Sequence, residues 1–188
     1  DGIEKTLATH LVGHFLLTHL LMPCLINGQR PRVILVSSGG MYSQKLKVKE
    51  LEQPPQPFDG VLAYARVKRA MVVLNRLWCK PLRKQGISAH CMHPGWADTP
   101  GVKSSIPGFW KVTQKILRNA EEGADTTLWL AACDVAHDTP GLFWFDRKPR
   151  SEYLIPGKKS SRDEEQKLWK ALCRWANMAP NAFDTTSA

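Results

Sequence analysis

The sequence predicts an α/β fold: a partial, doubly wound parallel sheet of about three strands with helices on both faces. Three observations carry this. Short apolar runs at 32–37, 87–92 and 141–145 alternate with longer segments of helical period. Val33–Val36 is continuous and rich in β-branched residues, as in a strand covered on both faces. Right-handed crossovers between such units build one parallel sheet. The 188-residue length suits one domain. Residues 1–150 read as the α/β unit and 151–188 as a polar tail carrying an amphipathic helix.

In chain order, 4–26 reads as one helix, because Leu7, Leu11 and Phe15 recur every four residues beside Val12, Leu16 and Leu20. Strand 32–37 follows Pro31. Residues 39–58 hold Gly39, Gly40, Pro54, Pro55 and Pro57 without a sustained period, so a loop is expected. The next helix spans about Asp59 to Lys84, with Ala63, Val67, Ala70, Met71, Leu74, Leu77 and Trp78 at helical spacing. Gly86 stops it, and 87–92 is the second strand. His93-Pro94-Gly95-Trp96-Ala97-Asp98-Thr99 forms an irregular turn, with a short helix near 108–118. Asn119 and Glu122 stand as a capping box for a helix to Ala132. Strand 141–145 is the third. Ser161 and Glu164, spaced as a second capping box, open a helix through Leu168, Trp169, Leu172 and Trp175.

The composition narrows the function classes. There are 26 Lys plus Arg against 17 Asp plus Glu, a net charge of +9. The basic residues are scattered apart from Arg147, Lys148, Arg150, Lys158, Lys159 and Arg162. That cluster reads as a solvated surface, and no specific nucleic-acid partner is implied. No apolar run approaches the ~20 residues of a membrane-spanning helix. The five Cys are odd in number and lack CxxC spacing, which favours reduced thiols in an intracellular, cytoplasmic setting. The chain opens on Asp1 with no visible signal segment, and reads as a fragment whose targeting information lies elsewhere.

Ligands of parallel sheets bind beyond the carboxyl ends of the strands, where Ser37-Ser38 and His93-Pro94-Gly95 fall. Tyr64 and Lys68 are four apart and share a helix face. An ammonium beside a phenol favours the phenolate, so the pair could form a general acid/base for a carbonyl or alcohol. Ser38 could donate to a substrate oxygen, Pro94-Gly95 permits a close backbone approach to a flat ligand, and Thr99 adds a hydroxyl. Singly, each has a plainer reading: a surface i,i+4 pair, a turn-forming Ser and an ordinary Pro-Gly turn. His10 and His14 have i,i+4 spacing, but no third metal ligand accompanies them. Trp78, Trp129, Trp144, Trp169 and Trp175 fit core positions.

Together, strand–SSGG, YARVK on the next helix and strand–HPGWADT form an ordered set. Over roughly residues 3–150 the chain resembles the second half of a short-chain dehydrogenase/reductase, a Rossmann-like fold. The resemblance implies Tyr64 as the proton-transferring group, Lys68 as the residue that lowers its pKa and holds the nicotinamide ribose, and Ser38 as support for the substrate carbonyl. It implies that the backbone of Pro94, Gly95 and Ala97 faces the nicotinamide, with Thr99 near the carboxamide or pyrophosphate. His10 stands where the family carries an Asn in an N-x-x-G setting, which makes it a catalytic candidate. NAD or NADP would supply the hydride to a small-molecule carbonyl or alcohol. The family's Gly-rich phosphate turn has no counterpart here, so weak or absent dinucleotide binding is expected. The alternative is a non-catalytic truncated isoform or interaction protein. The 33–36 edge is expected to promote self-association.

Overall fold

The computed structural model describes residues 2–105, 107–154 and 159–183. The first helical segment is not one regular helix. It comprises α1 (Lys5–Leu7), a π-helical turn (Ala8–Val12), α2 (Gly13–Leu20) and α3 (Met22–Ile26). The π turn closes when the Gly13 N–H reaches the Ala8 carbonyl. A Cβ on Gly13 would sit 3.1 Å from that oxygen, so the missing side chain makes the wide turn cheap. Leu21 separates α2 from α3, whose second position is Pro23, where a missing N–H is tolerated.

Strand β1 (Arg32–Val36) leads into a 3-10 turn (Gly39–Ser43) and then α4 (Val48–Glu52). The region expected as a loop thus holds a short helix. Val48 and Leu51 are buried, and the Val48 N–H is satisfied by the Glu164 carboxylate at 2.9 Å, from the far end of the chain. Helix α5 (Gly60–Lys84) begins at Asp59, whose carboxylate accepts from the N–H groups of Val61 and Leu62. Strand β2 (Ser88–Met92) is buried throughout. The single helix expected near 108–118 is instead α6 (Pro100–Ser105) and α7 (Pro107–Thr113). Helix α8 (Ala120–Ala132) carries the complete Asn119/Glu122 capping box, and α9 (Asp134–Asp138) follows.

The sheet has four strands in the order β1-β2-β3-β4, one more than expected. β1, β2 and β3 (Phe143–Phe145) are parallel, with Val36 opposite Met92 and Met92 opposite Trp144. β4 (Lys148–Pro149) returns antiparallel through Asp146 and Arg147, both at positive φ. Two such central residues give the tight hairpin whose twist matches the strands. Among the described residues β1 has a neighbour on one side only.

Helix α10 (Arg162–Trp175) shares the core with α5 and α2. Phe15 stacks on Trp78 with centroids 5.8 Å apart, and meets Trp169 edge-on and Phe183 obliquely. Ser161 caps the Glu164 N–H, but the Glu164 side chain serves Val48 instead of returning to Ser161, so the expected second capping box is half formed. Lys158 of the basic cluster lies outside the described residues. Among the described residues no helix is long and apolar enough to cross a membrane.

Candidate active site

The carboxyl ends of β1 and β2 and the first turns of α5 converge on one shelf. Ser38 leaves β1 in extended backbone and caps the 3-10 turn, its Oγ accepting from the Gly40 N–H at 3.3 Å. Its hydroxyl stands close enough to the Tyr64 phenol to draw the phenol's pKa down. Tyr64, one turn into α5, remains 37% exposed, open to a ligand on that side. Lys68 is one turn further on and only 5% exposed. Its Nζ donates to the Val36 carbonyl at 2.8 Å and stands 5.4 Å from the centre of the Tyr64 ring. The strand end is fastened in return by Ser37, whose Oγ donates to the Lys68 carbonyl at 2.8 Å.

The electrostatics depart from the sequence expectation in one respect. Lys68 was expected to lower the Tyr64 pKa, but burial raises it, and the Ser38 hydroxyl offsets only part of that. The reason is geometric: the amine points to the Val36 carbonyl, and burial brings its own pKa down to about 8.

His10 sits on the π turn with its ring edge-on to Tyr64, centroids 5.8 Å apart. Burial first, then the charges of Lys68 and His14, lower its pKa, against the opposing charge of Glu4. The imidazole is therefore neutral at pH 7. The His14 ring nitrogen lies 2.7 Å from the His10 carbonyl, and among the described residues no group of three His, Cys, Asp or Glu is arranged to hold a metal.

Beyond β2, Gly95 adopts φ +79°, and a Cβ there would meet the Arg118 guanidinium at 3.0 Å. Only glycine fits both conditions. Arg118 holds the turn from outside through a two-pronged ion pair with Asp146 at 2.5 and 2.9 Å, and it lies over the Phe145 ring. Ala97 bridges to Arg118 in a one-residue parallel ladder, and its Cβ closes against Gly123 of α8. Thr99 is engaged locally, its Oγ1 accepting from the Val102 N–H at 3.3 Å at the start of α6.

Sequence reasoning missed several residues of the shelf. His93 stacks on Phe145 at 4.2 Å and accepts from the Gly95 N–H at 3.2 Å, and burial lowers its pKa to about 4. Tyr42 packs edge-on to His93 and donates to the Ser151 carbonyl at 2.8 Å. Arg69 is 2% exposed inside α5. His93 was legible only as part of the strand-end turn, and no local signal marks Tyr42 or Arg69, whose partners are distant in sequence.

A family model described as short chain dehydrogenase matches residues 1–108. The chain belongs to the short-chain dehydrogenase family. Human dehydrogenase/reductase SDR family member 12 is 45% identical over 174 residues, which is 92% of this chain and 54% of that protein. Bovine retinol dehydrogenase 12 is 30% identical over 175 residues, with the same two coverages. A crystal structure of an uncharacterized protein from Mycobacterium paratuberculosis superposes with a TM-score of 0.67 at 21% identity, covering 94% of this chain and 60% of that one, which supports the fold. The chain spans about half the length of the curated relatives it matches.

Proposed function

We propose that this short-chain dehydrogenase chain carries the proton-transfer and substrate-facing part of an NAD(P)-dependent oxidoreductase for a small carbonyl or alcohol. The observation that carries the reading is the meeting of the Ser38 and Tyr64 hydroxyls on an open shelf beside the buried Lys68 amine. A carbonyl oxygen placed between the two hydroxyls would accept a hydrogen bond from Ser38 and the proton from Tyr64. The raised pKa of Tyr64 suits the donor role, because the phenol keeps its proton at neutral pH until the substrate oxygen gains charge.

The residues present fit the nicotinamide end of a dinucleotide. Lys68 spends one N–H on Val36 and keeps further donors beside Tyr64 for ribose hydroxyls. The Pro94–Ala97 backbone, held by Arg118 and Gly123, offers a firm wall for a flat ring. The dinucleotide supplies the hydride when bound. His10, edge-on to the phenol, is placed to relay a proton from solvent water to the tyrosinate after turnover, accepting one at one ring nitrogen as the other gives one up.

The test is carbonyl-dependent oxidation of NADH and NADPH, measured with the chain alone and joined behind the remaining N-terminal part of its human relative. Tyr64→Phe keeps the ring packing and removes the proton, so activity should fall by at least about 100-fold. Parental activity in Tyr64→Phe would overturn the Tyr64 role, and no activity in the parent in either form would favour the alternative, a non-catalytic interaction protein.

A further inference from the structure

Two consecutive residues of α5 grip the chain on either side of Ser38. Lys68 holds the carbonyl of Val36, two positions upstream. Arg69, turned about 100° around the helix, holds the downstream side. Its Nε donates to the carbonyls of Met41 (3.2 Å) and Gln44 (3.0 Å), so one N–H clasps the middle and the C-terminal cap of the turn that Ser38 opens. Its Nη1 donates to the Glu152 carbonyl at 2.8 Å, and the guanidinium lies 4.8 Å from the centre of the Tyr153 ring. The same strap segment is fastened one turn along by the Tyr42 hydroxyl on Ser151. It is fastened two turns along α5 by Arg76, which pairs with the Glu152 and Glu165 carboxylates.

An Arg with only 2% of its surface exposed has given up nearly all of its hydration, which opposes folding unless its donors are satisfied. Among the described residues no carboxylate forms a direct ion pair with it, and its partners are main-chain carbonyls from two separate segments. An apolar side chain would fill the same space without that cost. What an apolar residue cannot do is fix three carbonyls at set angles, which is the strength of the planar guanidinium fork.

We propose that Arg69 is a positioning residue for the reaction: it sets the Ser38 turn against Tyr64 and ties that turn to the 151–153 strap that walls the shelf. The inference rests on the catalytic reading above and deepens it. A displacement of about 1 Å in a reacting group can cost on the order of 100-fold in rate. The strap is therefore part of the site, although it lies more than 80 positions from Tyr64 in sequence.

The decisive comparison is Arg69→Lys against the parent and Tyr64→Phe, all in the same catalytically assayed protein. Lysine keeps the charge and loses the fork. The expected result is a fall in kcat on the order of 100-fold, with the KM for dinucleotide unchanged and faster amide exchange over residues 39–44. Arg69→Met should show the same kcat loss where it folds, and Arg69→Lys decides if it does not. A purely structural role predicts a lower melting temperature and parental kcat well below the melt. That result, with Tyr64→Phe inactive, overturns the Arg69 assignment alone. An active Tyr64→Phe removes the catalytic reading, and this inference with it.

Discussion

The Lys68 ammonium lies 5.4 Å from the centre of the Tyr64 ring, yet its hydrogen bond goes to the carbonyl of Val36. The amine thus closes the end of β1 while remaining beside the Tyr64 ring. Among the described residues it is buried without a carboxylate partner, and this leaves a thermodynamic signature.

The pKa of Lys68 falls from 10.5 to about 8 on folding, through burial. Between these values the unfolded chain binds more protons than the folded one, so this group makes stability rise with pH from about 8 to 10.5. Urea melts of the parent and Lys68→Met across that window should diverge in the parent's favour as pH increases. Parallel curves would show that the amine is hydrated.

His10 is held below its ordinary pKa of 6.5, mainly by burial. As pH falls through 6.5 the unfolded chain takes up the proton first, so acid weakens the fold through this residue. Protonation would also place a second positive charge beside Lys68. The acid limb of the kcat profile should therefore flatten in His10→Asn. His10→Ala should lose turnover on the order of 100-fold, the low end for a positioned proton-transfer group.

Helix α4 depends on a cap supplied from α10. Glu164→Ala should cost about 1 kcal/mol, as for other lost N-terminal caps, and should accelerate amide exchange over 48–52 before any other segment. Unchanged exchange there would show that the packing of Val48 and Leu51 suffices.

Among the described residues β1 is paired on one side only, and Val36 at its end is 39% exposed. Such an edge recruits further strands. Sedimentation of the 188-residue chain should show concentration-dependent self-association, and Val36→Lys should suppress it. A monomer at every concentration would mean that the edge is protected.

Most of the frame was legible because its signals are local. Asn119 and Glu122 announce a capping box three residues apart, Asp59 and Gly86 bracket α5, and apolar runs mark the strands. Ser38, Tyr64 and Lys68 were legible as members of an ordered set at strand ends and on a helix face, and His10 as a departure from the family pattern; the structure brings their side chains to one shelf. What stayed hidden depends on distant partners or unusual backbone. Helix α4 is capped from 116 positions away. The β3–β4 hairpin turns through two non-glycine residues at positive φ. The π turn depends on the closeness of Gly13 to Ala8. Arg69 looks like a surface charge until its three carbonyl acceptors are seen.

The strap that crosses the Ser38 turn also fixes when the site can exist. Tyr42 waits 109 positions for Ser151, Val48 waits 116 for Glu164, and Glu52 waits 122 for Arg174. During synthesis from the N-terminus, Ser38, Tyr64 and Lys68 leave the ribosome long before the segments that hold their shelf. Closing loops of this length is entropically costly, and contacts across them form late. The nascent chain therefore passes through a stage with its strands and earlier helices formed and the Ser38, Tyr64 and Lys68 side chains still loosely held, and the shelf sets only as α10 docks.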